Sequence, residues 1–126
     1  MRAGGKTLIC QRPGSTSHAG LWEFPGGKLQ QGESEAECLA REIMEELGCH
    51  ILPLDLIMNA EHEYPGKAVS LGFYRAIPLE GLEAKFIPRE GQGVRWVETA
   101  ELPKMDLLPA DRPIAEFLAQ GARCKQ

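Results

Sequence analysis

The sequence of 126 residues lacks several features that would place it in other classes of protein. No stretch approaches the roughly 18 to 20 apolar residues that cross a bilayer, and the first ten residues lack the apolar core of a secretory signal. We therefore expect a cytoplasmic protein with no membrane partner. An excess of basic residues is also missing, since the net charge is −4. This charge argues against a nucleic-acid polymer as partner, because binding a duplex normally needs a basic face.

Cysteine pairing is missing as well. Cys10, Cys38, Cys49 and Cys124 show no C-x-x-C spacing, and they are too few for a dense disulfide framework. We expect them to be reduced, with the first three packed in the interior and Cys124 on a loose tail. The sequence contains no internal repeat or linker, and 43% of its residues are hydrophobic. These properties predict one domain over residues 1–126.

The most informative feature that is present is a short acidic helix behind a glycine-rich loop. Glu42, Glu45 and Glu46 fall within about one third of the helix circumference, because each helical residue advances about 100°. Like charges at these spacings cost roughly a few tenths of a kcal/mol per pair unless a cation relieves them. Hard divalent cations take oxygen ligands together with substrate phosphates. The acidic face therefore predicts half of a metal–phosphate site, and a solvated acidic face is the alternative.

Local signals define the elements around this helix. Ser34 and Glu37 form a capping box, which predicts a helix that begins near Glu35 and ends before Gly48. Strands are predicted at residues 7–11, 52–60, 67–76 and 94–97, a helical turn at 99–102 and a terminal helix at 112–120. A hairpin turn is predicted at residues 3–6, so the strand that should precede it is almost entirely missing. Mixed strands and helices without a βαβ repeat favour an α/β or α+β layered fold.

The spacing within residues 27–49 is similar to a known signature. Gly27 is followed by Glu33, then by Arg41-Glu42, Glu45-Glu46 and Gly48, with intervals that match every fixed position of the Nudix hydrolase signature. The one departure from the signature is Cys49, a small apolar residue at a position where the family usually has an aliphatic one. Further stretches resemble the MutT-type branch, the nucleoside triphosphate pyrophosphohydrolases: residues 21–28, 61–65, 89–92 and 108–113. The resemblance covers roughly residues 4 to 119.

The resemblance implies a fold, a cofactor and a ligand set. The Nudix fold is a mixed β-sheet sandwiched between α-helices, and the implied cofactor is Mg²⁺, with Mn²⁺ as an alternative. The implied metal ligands are the Gly26 carbonyl, Glu42, Glu45, Glu46 and Glu90. Family members usually begin with a strand of about ten residues, whereas this chain begins at the turn. A second subunit that covers the open sheet edge is one way to compensate, which makes a homodimer one of the expectations.

The resemblance also implies catalytic and structural roles. Glu42 is favoured as the base that deprotonates the attacking water, because the adjacent Arg41 resembles the orienting arginine of the family. Glu45 and Glu90 are the other catalytic candidates, and mutual charge would couple the titrations of the glutamates. Three residues are expected to support the structure of the motif: Gly27, Glu33 and Gly48. Glu33 would do so by holding the loop–helix junction or Arg41.

Substrate binding is assigned to four residues. Arg12 and Lys28 are candidates for contacts with phosphate, although either could be a solvated cation. Phe24 and Asp111 are candidates for base recognition, in which an ionised carboxylate would accept hydrogen bonds from an exocyclic amine or a ring N–H. Asp111 could instead be the N-cap of the last helix, just ahead of Pro113.

These observations lead to an expected activity. The chain is expected to hydrolyse nucleoside triphosphates to a monophosphate and pyrophosphate, with oxidised guanine nucleotides (8-oxo-dGTP) as the first substrate. A cytidine triphosphate pyrophosphohydrolase is the alternative within the same class. A nucleotide-binding module that keeps the fold without turnover is the contrasting alternative.

Overall fold

A computed structural model describes residues 1–14, 18–26, 30–81, 85–89 and 91–124. Gly27, Lys28 and Glu90, which the sequence analysis singled out, lie outside the described residues. The described residues form six strands: β1 (Arg2–Ala3), β2 (Lys6–Gln11), β3 (Trp22–Glu23), β4 (Ile51–Tyr64), β5 (Lys67–Pro78) and β6 (Val94–Glu98). They also form the helices α1 (Glu35–Leu47) and α2 (Arg112–Cys124), with 3-10 helices at Thr99–Lys104 and Pro109–Asp111. None of the helices within the described ranges is both long and apolar enough to cross a membrane.

The strands form one mixed sheet. Its order along the main path is β3-β2-β1-β5-β4, and β6 also pairs with β2. Most pairings are antiparallel, whereas β1 pairs with β5 in parallel through Arg2 and Arg75. The two-residue strand β1 thus precedes the predicted turn and lies between β2 and β5. The β4–β5 hairpin forms the far edge of this path.

Helices cover both faces of the sheet. This is seen from two successive residues of β2, whose side chains point to opposite faces. Leu8 belongs to a buried cluster that includes Ile43 and Leu47 of α1. Ile9 belongs to a second cluster that includes Ile114 and Leu118 of α2. The mixed sheet between helices that the family resemblance implied is therefore confirmed. The packing position predicted for Cys10, Cys38 and Cys49 is also confirmed, since all three side chains are buried.

The helix α1 begins and ends as its capping signals predict. The Ser34 Oγ accepts a hydrogen bond from the Glu37 N–H at 3.1 Å, and the Glu37 Oε1 accepts one from the Ser34 N–H at 2.9 Å. Gly48 follows with φ 64°, a left-handed conformation that glycine adopts without a Cβ clash. The apolar side of the helix packs on the sheet, because Ile43 and Leu47 belong to the same buried cluster as Leu8 of β2.

The strands differ from their predicted bounds. The hairpin strands β4 and β5 are longer than predicted, because cross-strand pairing continues to Tyr64 opposite Lys67 and to Ile51 opposite Pro78. Pro53 is accommodated at the sheet edge, where the register shifts between Pro53 and Leu56. The terminal helix extends to Cys124, and the strand β3 was not predicted.

Candidate active site

Arg41 links the acidic residues of the signature. Its Nε donates to the Glu33 Oε2 at 2.7 Å, and its Nη2 donates to the Glu33 Oε1 at 3.1 Å. The Nη1 donates to the Glu42 Oε1 at 2.9 Å and to the Glu45 Oε2 at 3.1 Å. A planar guanidinium suits such a forked contact with a carboxylate. Arg41 therefore connects Glu33, which precedes the helix, to two carboxylates on the acidic face of α1.

These contacts change the acidity of the paired groups. The hydrogen bond from Arg41, followed by that from the Gln30 N–H, lowers the pKa of Glu33 to about 2. The same carboxylate raises the pKa of Arg41 above its usual value. Both charges are consequently present throughout the neutral pH range, which keeps the forked contact intact.

Glu46 is partly buried on the acidic face, as is Glu42, whereas Glu45 is exposed. The pKa of Glu46 is raised to about 7. Burial is the largest cause, the charges of Glu42 and Glu23 follow, and Glu45 makes a smaller contribution. A carboxylate in this position is costly to ionise because like charges surround it in a partly desolvated environment. A divalent cation would offset this cost, so the chemistry of the oxygen donors fits such an ion.

A cavity of about 290 Å³ opens beside the acidic face of α1. Three carboxylates and two cations take part in its lining: Glu23, Glu45, Glu46, Arg12 and Arg89. The other lining residues among those that the structure describes are Cys10, Pro13, Pro25 and Gln92. Charges of both signs thus face one space, an arrangement suited to a ligand that carries phosphates together with a cation.

Arg12 enters this cavity from the residue after β2. Its Nη1 contacts the Glu23 Oε2 at 3.0 Å, and both side chains are partly exposed. The short strand β3 supplies Glu23, because it pairs with the end of β2 at Cys10 and Gln11. The β2–β3 pairing therefore brings an arginine and a carboxylate to the mouth of the site.

Asp111 and Phe24 meet outside this cavity. The Asp111 Oδ2 accepts a hydrogen bond from the Phe24 N–H at 3.2 Å, and the Phe24 ring packs edge-on against Phe73 with centroids 5.0 Å apart. Asp111 is 8% exposed, and its burial raises its pKa to about 6. It is the last residue of a 3-10 helix, immediately before α2. The hydrogen bond to Phe24 fixes one carboxylate oxygen, so the other oxygen is the one suited to a ligand.

The structure brings only some of the predicted site residues to the cavity. Arg12, Glu45 and Glu46 line the cavity, whereas Glu42 is drawn to Arg41 and does not line it. Gly26 follows the buried Pro25 and is itself exposed. Within the described ranges, no group of three His, Cys, Asp or Glu side chains converges closely enough to hold a metal ion.

Sequence reasoning missed several residues of the cavity. Glu23 was not singled out, because a two-residue strand carries no detectable alternation. Arg89 and Gln92 were noted only as part of a resemblance, and Cys10 only as a packing residue. The strand-end position of Arg12 could have indicated that the neighbouring strand contributes to the same site, as Glu23 does through its pairing with Cys10.

Comparison with known proteins gives a consistent result. A family model described as NUDIX domain matches residues 1–117. The CTP pyrophosphohydrolase of Escherichia coli (strain K12) is 36% identical over 120 residues, which cover 94% of this chain and 86% of that protein. The 8-oxo-dGTP diphosphatase of the same strain is 31% identical over 107 residues, covering 85% and 81%. The solution structure of the E. coli ORF135 protein has a TM-score of 0.77 at 32% identity, covering 96% of this chain and 85% of that one.

The chain belongs to the Nudix family. Within that family it is a hydrolase of the MutT type, which acts on phosphorus-containing anhydrides. Nudix hydrolases generally use divalent metal ions.

Proposed function

We propose that this protein hydrolyses nucleoside triphosphates to a nucleoside monophosphate and pyrophosphate in a magnesium-dependent reaction, with Mn²⁺ as a substitute. The observation that carries the proposal is the position of Arg12, Glu45 and Glu46 around one cavity. A polyphosphate needs charge neutralisation, an in-line water and a base, and carboxylates beside a cation meet these needs. The reaction takes place in the cytoplasm on free nucleotides, with no nucleic-acid polymer or membrane as partner.

The glutamates of α1 and the loops around them would hold the ion. The residues that would hold it are Glu42, Glu45, Glu46, the Gly26 carbonyl and Glu90, of which Glu90 lies outside the described residues. When bound, the cation supplies positive charge that offsets the phosphates and makes water more acidic. The raised pKa of Glu46, caused first by burial, supports this ligand set, because an ion would stabilise its ionised form.

Within this set, Glu42 accepts the proton of the attacking water. Its Oε1 is oriented by the Arg41 Nη1 at 2.9 Å, and Arg41 is itself fixed by Glu33. Arg12 and Lys28 bind phosphate, and Arg12 is supported in this role because it reaches the cavity.

Asp111 and Phe24 recognise the base. Burial of Asp111 supports this role, because a hydrogen bond formed in a desolvated position discriminates strongly between a partner that fits and one that leaves the group unpaired. The preferred substrate is 8-oxo-dGTP, with a role in removing oxidised guanine nucleotides before they enter DNA. CTP is the second candidate, because a relative named CTP pyrophosphohydrolase shares 36% identity over 94% of this chain.

The proposal is tested by a screen for pyrophosphate release. The wild-type protein is incubated with 8-oxo-dGTP, dGTP and CTP, each with and without magnesium or manganese. We expect pyrophosphate, with no orthophosphate, and only when metal is present. Release with CTP but not with 8-oxo-dGTP would replace the preferred substrate by the second candidate.

A matched pair of variants locates the reaction. Glu45→Gln should abolish pyrophosphate release while leaving part of the thermal stabilisation by nucleotide, because the fold and the base contacts remain. Glu116→Gln removes an exposed charge on α2, away from the cavity, and should behave as the wild type. A wild-type protein that binds nucleotide yet releases no pyrophosphate with either metal would be a binding module, and the proposed reaction would be wrong.

A further inference from the structure

We infer that Arg89 binds the triphosphate chain of the substrate. This inference rests on the proposed function, which provides the polyphosphate ligand. Arg89 lines the cavity beside Glu45 and Glu46, as Arg12 does. In the sequence it follows the signature, 41 residues after Gly48.

Backbone hydrogen bonds fix the position of Arg89. Its N–H donates to the carbonyl of Glu46 at 3.0 Å, and the N–H of Ile87 donates to the carbonyl of Leu47 at 2.8 Å. The last carbonyls of a helix have no partner within the helix, so these two bonds satisfy the end of α1. Phe86 adds an edge-on contact with Trp96, with ring centroids 5.7 Å apart. The segment that carries Arg89 is therefore anchored to the metal-binding helix through its main chain.

The side chain of Arg89 differs from the other arginines of the site. Arg41 is held by three carboxylates, and Arg12 contacts Glu23 at 3.0 Å. Among the residues that the structure describes, Arg89 forms no ion pair, although it is exposed beside an acidic cavity. No carboxylate of the described residues holds its guanidinium, so its N–H donors can face a ligand in the cavity. A guanidinium matches the oxygens of a phosphate in pairs, so a polyphosphate is the ligand it suits.

A structural role of Arg89 makes a different prediction. A cation near the C-terminus of a helix interacts favourably with the helix dipole, and this alone would change stability without changing substrate affinity. Binding to phosphate instead predicts an effect on affinity that grows with the number of phosphates. The two roles are separated by measuring the KM and the melting temperature on the same variants.

The experiment compares Arg89→Ala, Arg89→Gln and Arg89→Lys with the matched control Lys85→Ala. Lys85 is an exposed cation of the same segment that does not line the cavity. We expect Arg89→Ala and Arg89→Gln to raise the KM for the triphosphate about tenfold or more, with kcat changed less than about threefold. The reason is that a charge-assisted hydrogen bond made equally in the ground state and the transition state affects binding and not the chemical step. Arg89→Lys should have an intermediate KM, because it keeps the charge but loses the fork. Lys85→Ala should match the wild type.

A second measurement keeps this inference separate from the proposed reaction. Binding of inorganic tripolyphosphate in the presence of magnesium is measured by calorimetry, which requires no turnover. We expect about tenfold weaker binding to Arg89→Gln than to the wild type, even if no nucleotide is hydrolysed. Equal tripolyphosphate affinity in the two proteins, or an equal loss in Lys85→Ala, would overturn the role of Arg89. A lower melting temperature of Arg89→Gln with unchanged affinity would identify the structural role instead.

Discussion

Replacing Asp111 by asparagine should make the stability of the protein less sensitive to pH. Asp111 is 8% exposed, and burial raises its pKa from 3.8 to about 6. A shift of about two units corresponds to about 3 kcal/mol at roughly 1.4 kcal/mol per unit. The folded protein bears this cost whenever the carboxylate is ionised. Asparagine keeps the shape and an acceptor for the Phe24 N–H but has no charge to bury.

The sign of the effect follows from proton binding in the two states. Between pH 4 and pH 6 the folded protein binds more protons at Asp111 than the unfolded chain, so its contribution to stability is lost as the pH rises through about 6. Below pH 4 both states are protonated, and the wild type and Asp111→Asn should differ little. Above pH 7 the variant should be more stable by about 3 kcal/mol.

The assay is urea unfolding of both proteins from pH 4 to pH 8, with the difference in the free energy of unfolding plotted against pH. Taking the difference cancels the titration of other groups. Asp106→Asn provides the control for the substitution itself, because Asp106 is an exposed aspartate in the loop before the same 3-10 helix. A flat plot for Asp111→Asn would refute the conclusion that burial of this carboxylate is costly.

Two further predictions concern the signature. Glu33→Gln should lower kcat about tenfold or more with little change in KM, because Arg41 loses its forked contact with Glu33 while the cavity remains. Steady-state kinetics would show this effect. A kcat equal to that of the wild type would contradict the positioning role of Glu33. Gly48→Ala should lower the free energy of unfolding by about 1 kcal/mol, because φ 64° is strained for a residue with a Cβ; an unchanged midpoint in urea would contradict the left-handed cap.

The parts of the fold that could be predicted from the sequence depend on local interactions. The bounds of α1 follow from Ser34, Glu37 and Gly48, which lie within one or two turns of the residues they cap. The predicted acidic face is likewise a property of a single helix. The arrangement of the whole sheet was predicted from the family resemblance, and the observed fold matches it.

The parts that could not be predicted depend on contacts between distant segments. The hydrogen bond from Phe24 to Asp111 joins residues 87 positions apart. Glu23 reaches the cavity because a two-residue strand pairs with β2, and no pattern in the sequence identifies so short a strand. Arg89 reaches it because the carbonyls at the end of α1 need partners. Periodicity describes one element at a time, so it cannot show which elements share a cavity.

The edge position of β4 has a consequence for self-association. Pro53 has no N–H to donate, and the irregular register between Pro53 and Met58 disturbs the even spacing of main-chain groups along that half of the strand. The half from Met58 to Tyr64 pairs regularly with β5. A second copy of the chain that extends the sheet by strand addition would therefore align along this outer half. Such a dimer would be joined near the hairpin tip and would leave the first half of β4 in contact with water.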